Sequence, residues 1–209
     1  MPQQEARPQA TVLEKGNVLF FYRPKEGVQH PQDPNDLEHK LEKDVPAPHA
    51  PGQRKRPWAR AAGEGRYAIA RHQGHTHLAY RLAQPAKEGE VQRELQLLPE
   101  ASYIITVKDP YTPSEIELSE KPSYPRELNK FDGHGWIALE PTDSLDYQYT
   151  QVLLVGARTD VQQELGIQID AQEETRAEQE VMRALQHDEQ EARKQGVSLL
   201  EPLQKGEWM

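Results

Sequence analysis

Apolar residues fall at every second position in two nearby runs of the chain. Tyr67 and Ile69 form the first, Leu78, Tyr80 and Leu82 the second, and Gln73 and Gly74 stand between them. A period of two is the signature of a half-buried strand, and a Gln-Gly pair between two such runs predicts a hairpin with a two-residue turn. That loop length sets His72 opposite His75, Arg71 opposite Thr76, Ala70 opposite His77 and Ile69 opposite Leu78. Tyr67, Ile69, Leu78, Tyr80 and Leu82 then share one face, while Ala68, Ala70, His72, His75, His77 and Ala79 share the other. An odd loop would separate Ile69 from Leu78, so the apolar pattern favours the even one.

The same reading extends to the rest of the chain. Residues 17–23 (NVLFFYR) predict a strand apolar on both faces, hence central or covered. Residues 91–97 (VQRELQL) and 102–108 (SYIITVK) alternate and predict a second hairpin. Residues 136–139 predict a short strand, and 151–156 (QVLLVG) a strand buried on both faces. Pro125 sits where a proline suits a first helical turn, predicting a short helix over 125–131, and 141–147 reads as a turn or a single helical turn. Asn35 or Asp36 could cap a short helix over LEHKLEK. The C-terminal third predicts a helix over 171–195, opened by Asp170 with Glu173 three residues on and stopped by Gly196. Its apolar stripe is thin, running through Ala177, Val181, Ala184 or Leu185, and Ala192, with Arg176/Glu180 and Glu189/Arg193 as i,i+4 pairs.

Together these elements predict an α+β protein: an antiparallel sheet of about five or six strands, proline-rich loops and a polar C-terminal helix. Residues 1–14 read as a flexible tail and 15–170 as a single domain with a disordered insertion at 24–60. Residues 171–209 read as the helix followed by a tail whose Leu199, Leu200, Leu203 and Trp208 return to the body.

Composition narrows the classes. Only 35% of the 209 residues are hydrophobic and 17 are proline, so the core is modest and much chain is solvated. With no cysteine, disulfides, thiolate metal sites and a cysteine nucleophile are excluded. No run approaches the roughly 18 apolar residues of a spanning helix, and the N-terminus lacks a secretory apolar stretch, so a soluble cytoplasmic protein with no membrane contact is the expectation. Net charge is −9, and residues 131–209 alone carry 6 basic against 16 acidic side chains. Such acidity speaks against a nucleic-acid partner, whose phosphates call for cations. The basic run Arg54-Lys55-Arg56 reads best as a solvated linker.

Candidate chemistry concentrates on the hairpin. His72, His75 and His77 on one sheet face form a constellation able to hold Zn²⁺, with an open fourth position where bound water ionises near neutrality. Asp132 or His134 in FDGHGW could supply a supporting partner or a base, and Ala68, Ala70 and Ala79 would leave room above the metal. The plainer reading is that the histidines are hairpin surface and the alanines mark where a helix packs closely. P-loop, G-x-G-x-x-G, G-x-S-x-G and H-E-x-x-H signatures are absent, so no catalytic residue and no other cofactor is indicated.

The motifs YRPK (22–25), RHQGHTHLAY (71–80) and VLLVGA (152–157) with the following ELGI resemble those of a group of uncharacterised bacterial and plant proteins. The likeness spans most of residues 15–170 and implies no activity or site. It breaks down over 24–60, where the group has additional strands. The favoured expectation is a soluble, non-enzymatic interaction or binding protein, with the C-terminal helix as a surface for a protein partner. The alternative is a zinc-dependent hydrolytic or hydrating enzyme using His72, His75 and His77, and the sequence leaves enzymatic activity and oligomeric state open.

Overall fold

The computed structural model describes residues 9–38, 57–113, 121–128, 131, 133–140, 142–169 and 176–208, with the backbone alone at 157 and 176–179. In chain order the strands are β1 (Thr11–Tyr22), β2 (Arg60–His72), β3 (His75–Gln84), β4 (Glu100–Lys108), β5 (Trp136–Ala138) and β6 (Val152–Arg158). The helices are α1 (Glu90–Glu94), α2 (Val161–Leu165), α3 (Arg176–Arg193) and α4 (Glu201–Lys205), with 3-10 turns at Pro34–Asp36 and Thr142–Asp146. The six strands form an antiparallel sheet in the order β1-β2-β3-β4-β5, with β6 paired to β4. Thr106 of β4 is matched by Ala138 of β5 and by Leu153 of β6, so those two strands lie on opposite edges of β4. The α+β architecture expected from the alternation is the one observed.

The hairpin forms as its sequence demands. Gln73 and Gly74 both have positive φ, 50° and 84°, which is the type I′ geometry whose twist suits two antiparallel strands. Glycine takes the second position without a Cβ penalty, and Gln73 bears the small strain of the first.

The chain divides into two compact units. One comprises Met1–Lys15, Ala68–Tyr80 and Glu100–Ile169. Its core sets the small side chains Ala10, Ala68, Ala70 and Ala79 against Val161, Leu165 and Ile167, with Val12 and Ile169 packed alongside. α2 can lie this close because the sheet residues that Val161 and Leu165 pack against, Ala68, Ala70 and Ala79, end at a methyl group. Asp160 caps the helix by accepting from the Gln163 N–H (2.8 Å), and Gly166 closes it in the left-handed conformation. Burying Val161 and Leu165, each almost fully enclosed, contributes roughly 1.5–3 kcal/mol per side chain.

The other unit comprises Gly16–Tyr67, Arg81–Pro99 and Asp170–Met209. Leu185 and Ala192 of α3 pack with Val197 and Leu199, and Phe21, Trp58, Met182 and Leu200 lean on that cluster. α3 ends in a Schellman closure: the Gly196 N–H donates to Arg193 O (3.1 Å) and the Val197 N–H to Ala192 O (3.1 Å), with Val197 and Ala192 in contact. The tail then returns as expected. Leu199 and Leu203 are buried, and Trp208 meets Tyr22 edge-on at 5.2 Å while its indole N–H donates to Glu94.

Several expectations are corrected. Residues 91–97 are not a strand. Gln92 accepts from the Gly89 N–H (3.0 Å) and donates to Ala62 O (2.7 Å), which fixes a helical turn, α1. The turn ends with Gln96 at φ 54° and the Leu97 N–H bonded to Gln92 O. β1 begins at Thr11, inside the expected tail, and stands at the end of the strand order rather than in the middle. Leu37 is extended and bridged to Pro24, so no helix starts there; residues 39–56, including the basic run, lie outside the described residues. Over 125–131 the described backbone makes only a turn, closed by Leu128 N–H to Pro125 O. α3 is described over Arg176–Arg193 and ends two residues before the expected 195; its expected opening at Asp170 and Glu173 lies outside the described residues, as do the side chains of Arg176 and Ala177.

Candidate functional site

The three hairpin histidines differ sharply in environment. His75 is exposed at the turn, His72 is half-buried, and His77 is buried among strands. The His72 and His77 rings stand edge to face with centroids 6.0 Å apart. Nδ1 of His77 is 3.2 Å from the Ser102 hydroxyl on β4. Burial holds the His77 imidazole below its ordinary value, more than the nearby Glu164 carboxylate can restore, and His72 and His75 press the same way as burial. His77 is therefore neutral through the physiological range.

Two polar atoms in this neighbourhood are buried without a hydrogen-bond partner: Nε2 of His72 and Oε2 of Glu164. The other carboxylate oxygen of Glu164 faces Arg158 Nε at 3.9 Å. Ser102 and Glu164 belong to this cluster and were not foreseen from sequence. The signal for Glu164 was the helix around it, Asp160 as cap and Gly166 as stop with Val161 and Leu165 four apart. Ser102 carries no local signal, because only the pairing of distant strands brings it to His77.

The space expected above the histidine face is filled close to the alanines, since Val161, Leu165 and Ile167 cover Ala68, Ala70 and Ala79. Among the described residues, no three His, Asp or Glu side chains converge closely enough to cage a metal ion. His134 is exposed, with its N–H bonded to Phe131 O (2.8 Å), and Asp132 lies outside the described residues.

A second feature is larger. Val152, Leu153, Leu154 and Val155 are 40%, 46%, 39% and 43% exposed, so β6 shows apolar side chains on both faces. The sequence led us to expect this strand buried on both. Its hydrogen bonding to β4 explains which edge is open. The Lys108 N–H donates to Gln151 O (3.0 Å), so 108/151 is a hydrogen-bonded pair. In the register Thr106↔Leu153 and Ile105↔Leu154, alternation makes 106/153 bonded and 105/154 non-bonded. The peptide groups of Leu153 thus face β4, while those of Val152 and Leu154 face outward. Along that outer edge no strand lies among the described residues. Gly156, at φ 68°, marks the irregularity that ends the regular pairing.

The seam of α3 offers less. Leu185 and Ala192 are already covered by their own unit, so the partner surface expected there is occupied by the chain itself. Among the described residues no helix is long and apolar enough to cross a membrane. Comparison with protein-family models, curated proteins and solved structures finds no match.

Proposed function

We propose that this chain is a non-enzymatic interaction protein that receives an extended apolar segment along the outer edge of β6. The observation that carries the reading is the run of four exposed aliphatic residues beside the outward peptide groups of Val152 and Leu154. Natural edge strands are usually blunted by lysine, proline or inward charge. Residues 151–157 (QVLLVGA) contain none of these. Strand addition draws affinity from main-chain hydrogen bonds and specificity from alternate side chains, and this edge supplies both. Selection of a displayed random-peptide library on the purified protein tests it. Extended aliphatic peptides should emerge, and Leu154→Pro, which removes an outward N–H that β4 does not use, should abolish their binding. Peptides that bind the variant as well as the wild type would refute the edge.

A second reading has one observation in its favour, the unpartnered His72 Nε2 and Glu164 Oε2 near His77. The carboxylate oxygen offers lone pairs with no donor beside it, and Nε2 of His72 does so in its Nδ1–H tautomer; the enzyme alternative rests on these two atoms. Added Zn²⁺ should then raise the unfolding temperature of the wild type and leave that of His77→Ala unchanged. No shift in the wild type would remove this reading.

A further inference from the structure

We infer that the segment β6 receives is β6 of a second copy, paired antiparallel about Leu153; this rests on the edge-strand reading above. In a two-fold antiparallel pair, a residue must stand opposite its own counterpart, because residues facing one another share a sheet face. The pair can therefore centre on Leu153 or on Leu154. Centring on Leu154 makes it a hydrogen-bonded pair, but sets Val152 against Gly156, where the left-handed backbone disrupts the ladder. Centring on Leu153 leaves that pair non-bonded and places Val152 opposite Leu154 of the second copy, twice. The four outward N–H and C=O groups of Val152 and Leu154 in each chain then all find partners, giving four hydrogen bonds.

Side chains agree with the backbone. Leu153 meets its counterpart on one face, and Val152 meets Leu154 on the other, so every central contact is aliphatic and no like charges oppose. Gln151 and Val155 flank the centre, with their peptide groups turned to β4 in each chain. The pairing requires no change in the β4–β6 register. One strand pair buries much less than the roughly 1,600 Å² of a standard interface, so the association is weak and appears only with concentration.

The chain has no native cysteine, which makes a cross-link test clean. In a non-bonded pair the Cα atoms approach to about 4.5 Å, within disulfide reach. Leu153→Cys should form a disulfide-linked dimer under mild oxidation. Leu154→Cys should not, because its thiol lies diagonal to its counterpart at about 7–8 Å. Sedimentation from about 1 µM to about 1 mM should show wild-type mass rising toward the dimer, and Leu154→Pro should stay monomeric. Should that proline disturb folding, Leu154→Lys, which leaves every backbone group in place, should weaken the dimer equally. Wild type monomeric throughout with no Leu153→Cys dimer would overturn self-pairing, as would Leu154→Cys cross-linking as fast as Leu153→Cys. If peptides selected on β6 still bind in that case, the edge-strand reading stands and only the second copy falls.

Discussion

Glu189 should be the residue of α3 whose loss costs most, although it is charged and the helix is polar. Its carboxylate is buried and accepts three hydrogen bonds: from the Leu199 N–H (2.5 Å), the Ser198 hydroxyl (2.9 Å) and Arg193 Nε (2.5 Å). The first two fasten the segment after the Schellman turn to the helix and so hold Leu199 in the core. In Glu189→Ala the buried Leu199 N–H is left without an acceptor, a loss of about 1.5–2 kcal/mol, and Ser198 loses about 1 kcal/mol more. Arg193 is largely solvent-exposed, so its ion pair adds only a few tenths. The sum is about 3 kcal/mol, which lowers the unfolding temperature by about 6–12 °C for a chain of this size. Glu189→Gln keeps one acceptor and should lose about half as much.

Acid adds a signature that packing alone would not give. The hydrogen bonds from Leu199, Arg193 and Ser198 outweigh burial and hold the Glu189 carboxyl below its usual range. The unfolded chain therefore binds more protons than the folded one between that depressed value and about 4.3. The stability from Glu189 is complete above about pH 4.3 and is lost as pH falls through the folded value. Urea titrations at neutral pH and at stepwise lower pH should show Glu189→Gln with a flatter acid limb than the wild type. A neutral-pH loss under 1 kcal/mol for Glu189→Ala, or parallel acid limbs, would refute the assignment of Glu189 as the fastening group.

Three further perturbations bear on the packing. Leu185→Asp should unfold the unit holding α3 rather than release a partner, since it puts a charge into the cluster of Ala192, Val197 and Leu199; loss of helical circular dichroism reads this out. Gly206→Ala should destabilise strongly, because its Cβ would meet Gly89 Cα at 2.6 Å and strain a backbone at φ 71°, and thermal unfolding measures it. Ala70→Leu should cost about 1–3 kcal/mol by forcing α2 off the sheet, whereas the same change at exposed Ala83 should be nearly neutral, both judged by denaturant midpoint.

The parts of the fold legible in the sequence were those whose signal is local. Gln73 and Gly74 specify their turn by backbone geometry alone, and Gly196 stops α3 for the same reason. Residues 91–97 misled because VQRELQL fits both periods: Val91, Arg93, Leu95 and Leu97 alternate, while Val91 and Leu95 are also one helical turn apart. What decides between them is Gln92, whose amide bonds Gly89 next door and Ala62 thirty residues away. The left-handed residue that ends the turn is Gln96 rather than glycine, so the usual stop signal was missing. β6 misled in the opposite sense. Two apolar faces read as burial, because within a single chain that is what they ordinarily mean, and composition cannot tell a strand covered by its own fold from one left for another chain to cover.

The histidine face joins the two readings weighed from sequence, the close-packed helix and the polar site. Ala68, Ala70 and Ala79 present no side chain beyond Cβ, which lets α2 descend until Val161 and Leu165 touch them. Glu164 belongs to the same five-residue helix, one position before Leu165, and its carboxylate acts on His77. The distance of α2 from the sheet therefore sets both the core packing and the field at the imidazole. A larger residue at position 70 lifts Val161 and Leu165 and moves Glu164 away from His77 together. Such a substitution weakens the support that Glu164 gives the protonated imidazole, but it also loosens the burial that acts more strongly on His77, so in Ala70→Val the His77 ring should titrate at higher pH than in the wild type. Ring-proton shifts followed against pH by NMR measure this directly. A His77 titration unchanged by Ala70→Val, in a protein whose stability has fallen, would separate the polar cluster from the helix that carries it.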